Sequence, residues 1–293
     1  MGELDPEMAT IMALRTAAVT GDIHEMRRGS LADKRVLNGR MRQLVRVDEI
    51  RLPGAEGDRP ARVVAPREVV GPPILAFHGG GWAAGSLDTH LSLFGGLALA
   101  AGRAVVAPHP RQAPEHPFPA PLDDCLAFVD AFQERFGGPV DLFGDSAGAN
   151  LALATALALR DRGALPIRAL SLAYGCFVRR FDTASHARYG GGDFGLSTER
   201  MRLFWEFYAP RGGALADLSE ADLSGLPRTL LTVAACDPLA DDSAWAEDRL
   251  KAAGVPVTRT LYPGVIHGFI HHAPGFLPAE AALAEVAAHL TPA

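Results

Sequence analysis

Eight short apolar runs recur along the chain, and helix-length segments separate most of the later ones. They read "QLVRVDEIRL" (Gln43 to Leu52), "ARVVAP", "PILAFH", "RAVVAP", "PVDLF", "RALSLAY", "RTLLTVAA" and "VTRTLYP", and their β-branched content predicts strands. "PILAF" and "RTLLTVA" are apolar almost throughout, as strands covered by helices on both faces are. Elsewhere "LDDCLAFVDAFQERF" and "DSAWAEDRLKAAG" space apolar residues three and four apart, which predicts one-sided helices. The early runs follow one another closely, as hairpins do, and the later ones alternate with helices, as βαβ crossovers do. A mixed α/β architecture with a largely parallel sheet is therefore expected. Two regions stand outside the alternation, the first forty or so residues and Cys176 to Gly213, and are expected to be helices and loops packed over one end of the sheet. No internal repeat, low-complexity tract or long linker divides the 293 residues, so a single domain is expected.

Composition narrows the function classes. Apolar residues make up 48% of the chain and charged residues 21%, which is core-forming and globular. The net charge of −6 comes from interspersed acids and bases, with no basic block to track a phosphate backbone, so nucleic acid is not an expected partner. The most apolar run, Ala147 to Leu159, is shorter than the ~20 residues of a bilayer span, and no stable membrane insertion is expected. The amino terminus carries acids where a signal peptide carries bases. Cys125, Cys176 and Cys236 lie far apart with no C-x-x-C pair, which points to neither a disulfide framework nor a zinc site and fits a cytoplasmic protein.

The candidate chemistry centres on "GDSAG", Gly144 to Gly148. A serine at a helix start is often only an N-cap. Here a strand-like run precedes Ser146 and a strongly helical one follows it, as the G-x-S-x-G nucleophile elbow requires, with Gly144 and Gly148 placed where a side chain would collide with neighbouring backbone. Upstream, His78-Gly79-Gly80-Gly81-Trp82 closes another strand. Consecutive glycines let backbone N–H groups turn toward a developing oxyanion, and Gly80, Gly81 and Ala147 are the favoured donors. A serine needs a base and the base an orienting acid. Downstream, "CDPLADD" and "GVIHGF" each follow a strand, at the same sheet end as the elbow, and supply Asp237 and His267 in the order Ser, Asp, His. Asp241 and Asp242 are rival acids that look like the first turn of the next helix. His271 and His272 follow His267 closely, but no metal-binding spacing supports them, and they are expected at the surface or a helix start.

These residues resemble the hormone-sensitive-lipase-like family of α/β-hydrolases, which includes bacterial acetyl esterases. "HGGGW", "RQAPEHPFPAPLDD", "GDSAGANLA", "CDPLADD", "RLKAAGVPV" and "YPGVIHGF" stand in the family's order across nearly the whole chain. The resemblance implies an α/β-hydrolase fold: a mostly parallel eight-stranded sheet flanked by helices, with a helical cap from about residues 1–45 and 176–213. It implies Ser146 as nucleophile, His267 as general base and acid, Asp237 as its partner, and Gly80, Gly81 and Ala147 as oxyanion donors. His78, Gly79, Gly144 and Gly148 are motif residues, and Trp82, Asp145, Phe194, Trp205 and Tyr208, with Phe207, are candidates for the substrate pocket. No cofactor and no metal are expected, the partner is a small-molecule ester, and a homodimer through the edge strand is consistent with the family.

The chain departs from the family's usual "DYRLAPEHPFPA" in reading "HPRQAPEHPFPA". His109 and Pro110 replace Asp and Tyr, Gln112 replaces Leu, and Arg111 and Glu115 are expected to pair. A short- to medium-chain serine carboxylesterase is the leading expectation. A specialised acyltransferase, cyclase or lyase on the same scaffold is the alternative. A non-catalytic small-molecule-binding protein is a third reading, against which the filled triad positions speak.

Overall fold

In the computed structural model, which describes residues 4–13, 21–32 and 34–291, the apolar runs become eight strands: β1 (Arg46–Gly54), β2 (Gly57–Ala65), β3 (Ile74–Phe77), β4 (Val105–Pro108), β5 (Val140–Asp145), β6 (Ile167–Ala173), β7 (Arg228–Cys236) and β8 (Val257–Ile266). They form one sheet in the order β1-β2-β4-β3-β5-β6-β7-β8. β1 and β2 make an antiparallel hairpin that turns between Gly54 and Gly57, β2 is antiparallel to β4, and every other pair is parallel. The first strand starts three residues later than the run beginning at Gln43, because Gln43 and Leu44 close α3 (Arg35–Leu44).

Burial explains the unbroken apolar character of the central strands. Leu75, Phe77, Leu142, Leu170 and Leu172 enter one core cluster, and Ile74, Ala76, Phe143, Ala169 and Ala173 enter the other. Alternate residues point to opposite faces, and both faces are covered. On the first face lie α5 (Ala120–Phe136), α6 (Ala147–Asp161) and α9 (Ala240–Ala252), and on the second α4 (Leu91–Ala101) and α10 (Leu277–Leu290). Met41 of α3 fills the space that a side chain at Gly95 of α4 would need.

Among the described residues, α1 (Pro6–Ala13), α2 (Ile23–Ala32) and α3 precede the sheet, α3 packing on α4, and α7 (Ala184–Tyr189) and α8 (Thr198–Tyr208) lie between β6 and β7. Thr183 and Ser197 start the last two, their hydroxyls accepting from the N–H groups of His186 and Arg200, the capping chemistry that releases a chain from loop into helix. No helix of the described residues is long and apolar enough to cross a membrane. The three cysteines are buried thiols.

Candidate active site

Parallel strands deliver their carboxyl ends to one edge of the sheet, and the chemistry-bearing loops gather there. β5 ends at Asp145 and α6 begins at Ala147, which leaves Ser146 on the turn with φ 53° and ψ −119°. That conformation is uncommon for a residue with a side chain and costs of order 1–3 kcal/mol. The crossing of α6 over β3 sustains it. A Cβ on Gly148 would sit 2.1 Å from the Phe77 carbonyl oxygen, and one on Gly144 would sit 2.4 Å from that of Gly148.

β7 ends one residue before Asp237 and β8 one residue before His267. The His267 Nδ1 lies 2.7 Å from Asp237 Oδ2, and its Nε2 lies 2.9 Å from Ser146 Oγ. Asp237 is 1% exposed, and its other oxygen accepts the Leu239 N–H at 2.9 Å. A carboxylate so held fixes the imidazole tautomer with the proton on Nδ1, which leaves Nε2 as the acceptor for the serine hydroxyl. Tyr174, at φ 37°, sets its ring edge-on to His267 with centroids 4.8 Å apart.

The rival acids are engaged elsewhere. Asp241 accepts the Ser185 N–H at 2.8 Å, and Asp242 accepts those of Phe177 and Val178 at 2.8 and 3.2 Å. Both stand in the first turn of α9 and tie the segment after β6 down to it. Burial pushes the Asp242 carboxyl up to about 7 against the help of those two N–H groups. Between about pH 4 and 7 the folded chain therefore holds a proton on Asp242 that the unfolded chain has released. Its contribution to stability falls as pH rises through that window, by up to ~1.4 kcal/mol per unit. Chemical denaturation at several pH values should show this slope flattened in Asp242→Asn relative to the parent; an equal slope in both would assign the dependence elsewhere.

The glycine loop faces the serine. Gly80 and Gly81 have φ of 99° and 61°, which glycine adopts without penalty. Among the described residues, no protein acceptor receives the N–H groups of Gly80, Gly81 or Ala147. The Gly79 N–H donates to Asp145 Oδ1 at 2.9 Å and also lies 3.1 Å from His90 Nε2. Burial opposes the charge on Asp145, but His90 and His271 outweigh it and hold the carboxyl well below the usual range. Asp145 thus acts on the loop's backbone. His90, Asp145 and His271 bring three ligating atoms within 4.8 Å of one another. His90 and Asp145 both face the Gly79 N–H, so two of these three side chains bear on the backbone of the glycine loop.

A cavity of about 600 Å³ opens above Ser146 and His267, walled by the glycine loop, Tyr174, Met12 and Met26 from the first two helices, and Leu196, Met201 and Phe204 from the segment between β6 and β7. The aromatic residues expected in its wall lie elsewhere. Trp82 stacks on Tyr208 at 4.2 Å and leans on Trp205 at 4.7 Å, all three buried in the core, while Phe194 packs edge-on against Tyr189. Phe207 is only partly buried against the same core. The face of α8 that meets the cavity carries Arg200, Met201 and Phe204. The i, i+3 spacing of Met201 and Phe204 was the available signal, but the sequence cannot say which of two apolar faces a helix turns to a neighbour.

Two further expectations are overturned. Arg111 and Glu115 do not pair: Arg111 binds the buried Asp124 at 3.0 Å and Glu56 at 2.8 Å, and Glu115 binds Arg27 at 2.8 Å. His271 is buried, in a single short helical turn (Phe269–His272), and faces the cavity. Asp145 lines the cavity as expected, and there one of its oxygens accepts the Gly79 N–H.

The chain is similar to known proteins in sequence and in fold. A family model described as the α/β hydrolase fold matches residues 74–271. Carboxylesterase NlhH of Mycobacterium tuberculosis is 34% identical over 266 residues, covering 81% of this chain and 82% of that protein. An acetyl esterase of Salmonella paratyphi A is 29% identical over 265 residues, covering 86% and 81%. Among solved structures, the hyperthermophilic esterase from the archaeon Pyrobaculum calidifontis superposes with a TM-score of 0.89 at 31% identity, covering 98% of each chain. An esterase from the bacterial hormone-sensitive lipase family gives 0.87 at 28% identity, covering 97% and 96%. The sheet order, the strand-end loops and these matches place the chain in the α/β-hydrolase fold family, among its hormone-sensitive-lipase-like members.

Proposed function

We propose that this carboxylic ester hydrolase cleaves short- to medium-chain esters through an acyl-enzyme on Ser146. The observation that carries the reading is the unbroken series Asp237, His267, Ser146, with 2.7 and 2.9 Å links, opening into a cavity beside three backbone donors. His267 Nε2 takes the proton of the Ser146 hydroxyl as Oγ bonds to the ester carbonyl carbon. The N–H groups of Gly80, Gly81 and Ala147 receive the negative oxygen. The tetrahedral species collapses, the alcohol leaves with the proton from His267, and water repeats the sequence to release the acid and restore the serine. Asp237 stays ionised and stabilises the imidazolium.

The helices before the sheet and between β6 and β7 act as a cap on one domain, since Met26 of α2 and Phe204 of α8 both line the cavity. Three buried cysteines, none of them in a disulfide, suit a cytoplasmic setting. β8 leaves a sheet edge with Leu261 half exposed, which suits pairing with a second copy.

The experiment is turnover of a p-nitrophenyl ester series from acetate to palmitate. A pocket of about 600 Å³, mixed in polarity, predicts kcat/KM highest between acetate and hexanoate and falling steeply beyond. A profile rising to the longest chains would overturn the size assignment, and no turnover on any ester would overturn the hydrolase mechanism.

A further inference from the structure

The segment His109-Pro110-Arg111-Gln112, where the chain departs from the family's usual reading, lies directly behind the glycine loop. His109 follows β4, its N–H donating to the Pro60 carbonyl at 2.9 Å and its own carbonyl accepting from Arg59 Nε at 3.3 Å. Its backbone is therefore anchored in the sheet. Its ring stacks beside that of His78 with centroids 5.0 Å apart, and its Nδ1 lies 2.8 Å from His78 Nε2. The His78 Nδ1 lies 2.9 Å from the Gly79 carbonyl oxygen.

The protons in this chain of contacts follow from the acceptors. A carbonyl oxygen only accepts, so His78 Nδ1 carries a proton and donates to Gly79. A neutral His78 then has a bare Nε2, and the His109 Nδ1–H is the donor that meets it. Burial, followed by the imidazoles of His109 and His90, pushes His78 well below its ordinary value. Burial, then the guanidinium charges of Arg59 and Arg27, brings His109 down to about 4. Both rings are neutral near pH 7, as this pairing requires.

We propose that His109 is a positioning residue for the oxyanion site, locking the His78 ring so that it holds the Gly79 carbonyl and aims the Gly80 N–H at the reacting oxygen. The Gly79 carbonyl and the Gly80 N–H belong to one planar peptide, so fixing one end fixes the other. The same segment grips the far side of the loop, where Gln112 Nε2 donates to the Gly85 carbonyl at 2.9 Å. Gly85 lies against Gly79 so closely that a Cβ there would be 1.9 Å from the Gly79 oxygen. The inference rests on the reading of Gly80 as an oxyanion donor.

The test compares His109→Ala and His109→Asn with the parent on p-nitrophenyl butyrate, alongside ¹⁵N NMR of the histidine side chains, with the His78 signals assigned by their loss in His78→Gln. In the parent, His78 should be protonated at Nδ1 and bare at Nε2. His109→Ala should lower kcat about ten- to a hundredfold, somewhat less than losing a donor outright, with KM within about twofold. His78 in that variant should lose its fixed tautomer. Asn offers an N–H close to where Nδ1 stands, so His109→Asn should recover most of kcat and the His78 tautomer. A His78 protonated at Nε2 in the parent, an Ala variant with the parent's kcat, or an Asn variant as slow as Ala would each overturn the proposal. If the parent turns over no ester, the esterase reading fails, and the NMR comparison still decides whether His109 sets the His78 proton.

Discussion

Ser146→Ala is expected to abolish ester hydrolysis, lowering kcat by about a millionfold, the loss seen when the nucleophile of such a constellation is removed. The size of the effect follows from the covalent step. Without Oγ no acyl-enzyme forms, and what remains is water attacking an ester held near the donors of the glycine loop. The variant should fold as the parent does, because among the described residues the Ser146 hydroxyl hydrogen-bonds only to His267 and alanine occupies the same turn. Steady-state turnover and the pre-steady-state burst of p-nitrophenol measure the loss, and a denaturation curve checks the fold. Residual activity above about a thousandth of the parent's would show that another group performs the attack.

Asp237→Asn is expected to cost about ten-thousandfold in kcat with little change in KM. The geometry says how. One Asp237 oxygen accepts the Leu239 N–H at 2.9 Å and the other faces His267 Nδ1 at 2.7 Å. An asparagine keeps its oxygen on Leu239 and turns its NH2 toward the imidazole. Two donors cannot face each other, so the proton moves to Nε2, and His267 can no longer accept the serine's proton. Measuring kcat and KM for Asp237→Asn beside Asp241→Asn separates the candidates. A large loss in the second variant and none in the first would transfer the orienting role to Asp241, which now holds the Ser185 N–H.

Much of this site was legible in the sequence because nucleophile, acid and base each sit one residue beyond a strand, and strand runs announce themselves by unbroken apolar character. Ser146, Asp237 and His267 could be placed at one sheet end before any contact was known. The cavity wall was not legible for a geometric reason. α8 is apolar on more than one face, with Met201 and Phe204 toward the cavity and Trp205 and Tyr208 toward Trp82, and only docking decides which faces what. The partners of Arg111 and Glu115 were hidden likewise, since Asp124 lies in a helix and Arg27 belongs to the first helices of the chain. The pairing of His78 with His109 joins residues 31 positions apart through one contact, which no local pattern encodes.

A Cβ built on Gly81 would lie 2.2 Å from the ring of Phe204, so the helix that shapes the substrate's chamber also rests on the backbone that receives its negative charge. Substrate range and rate are therefore not independent traits in this protein. A substitution at Phe204 made to admit a bulkier acyl group also removes the wall against which the glycine loop is braced. Variants selected for broader range at that position should surrender turnover on the original esters, and regaining it should require a compensating change in the loop or in what supports it from behind. Laboratory evolution of this scaffold would move more freely through Met26 and Leu196, which border the chamber, whereas the atoms nearest a Cβ on Gly81 all belong to Phe204.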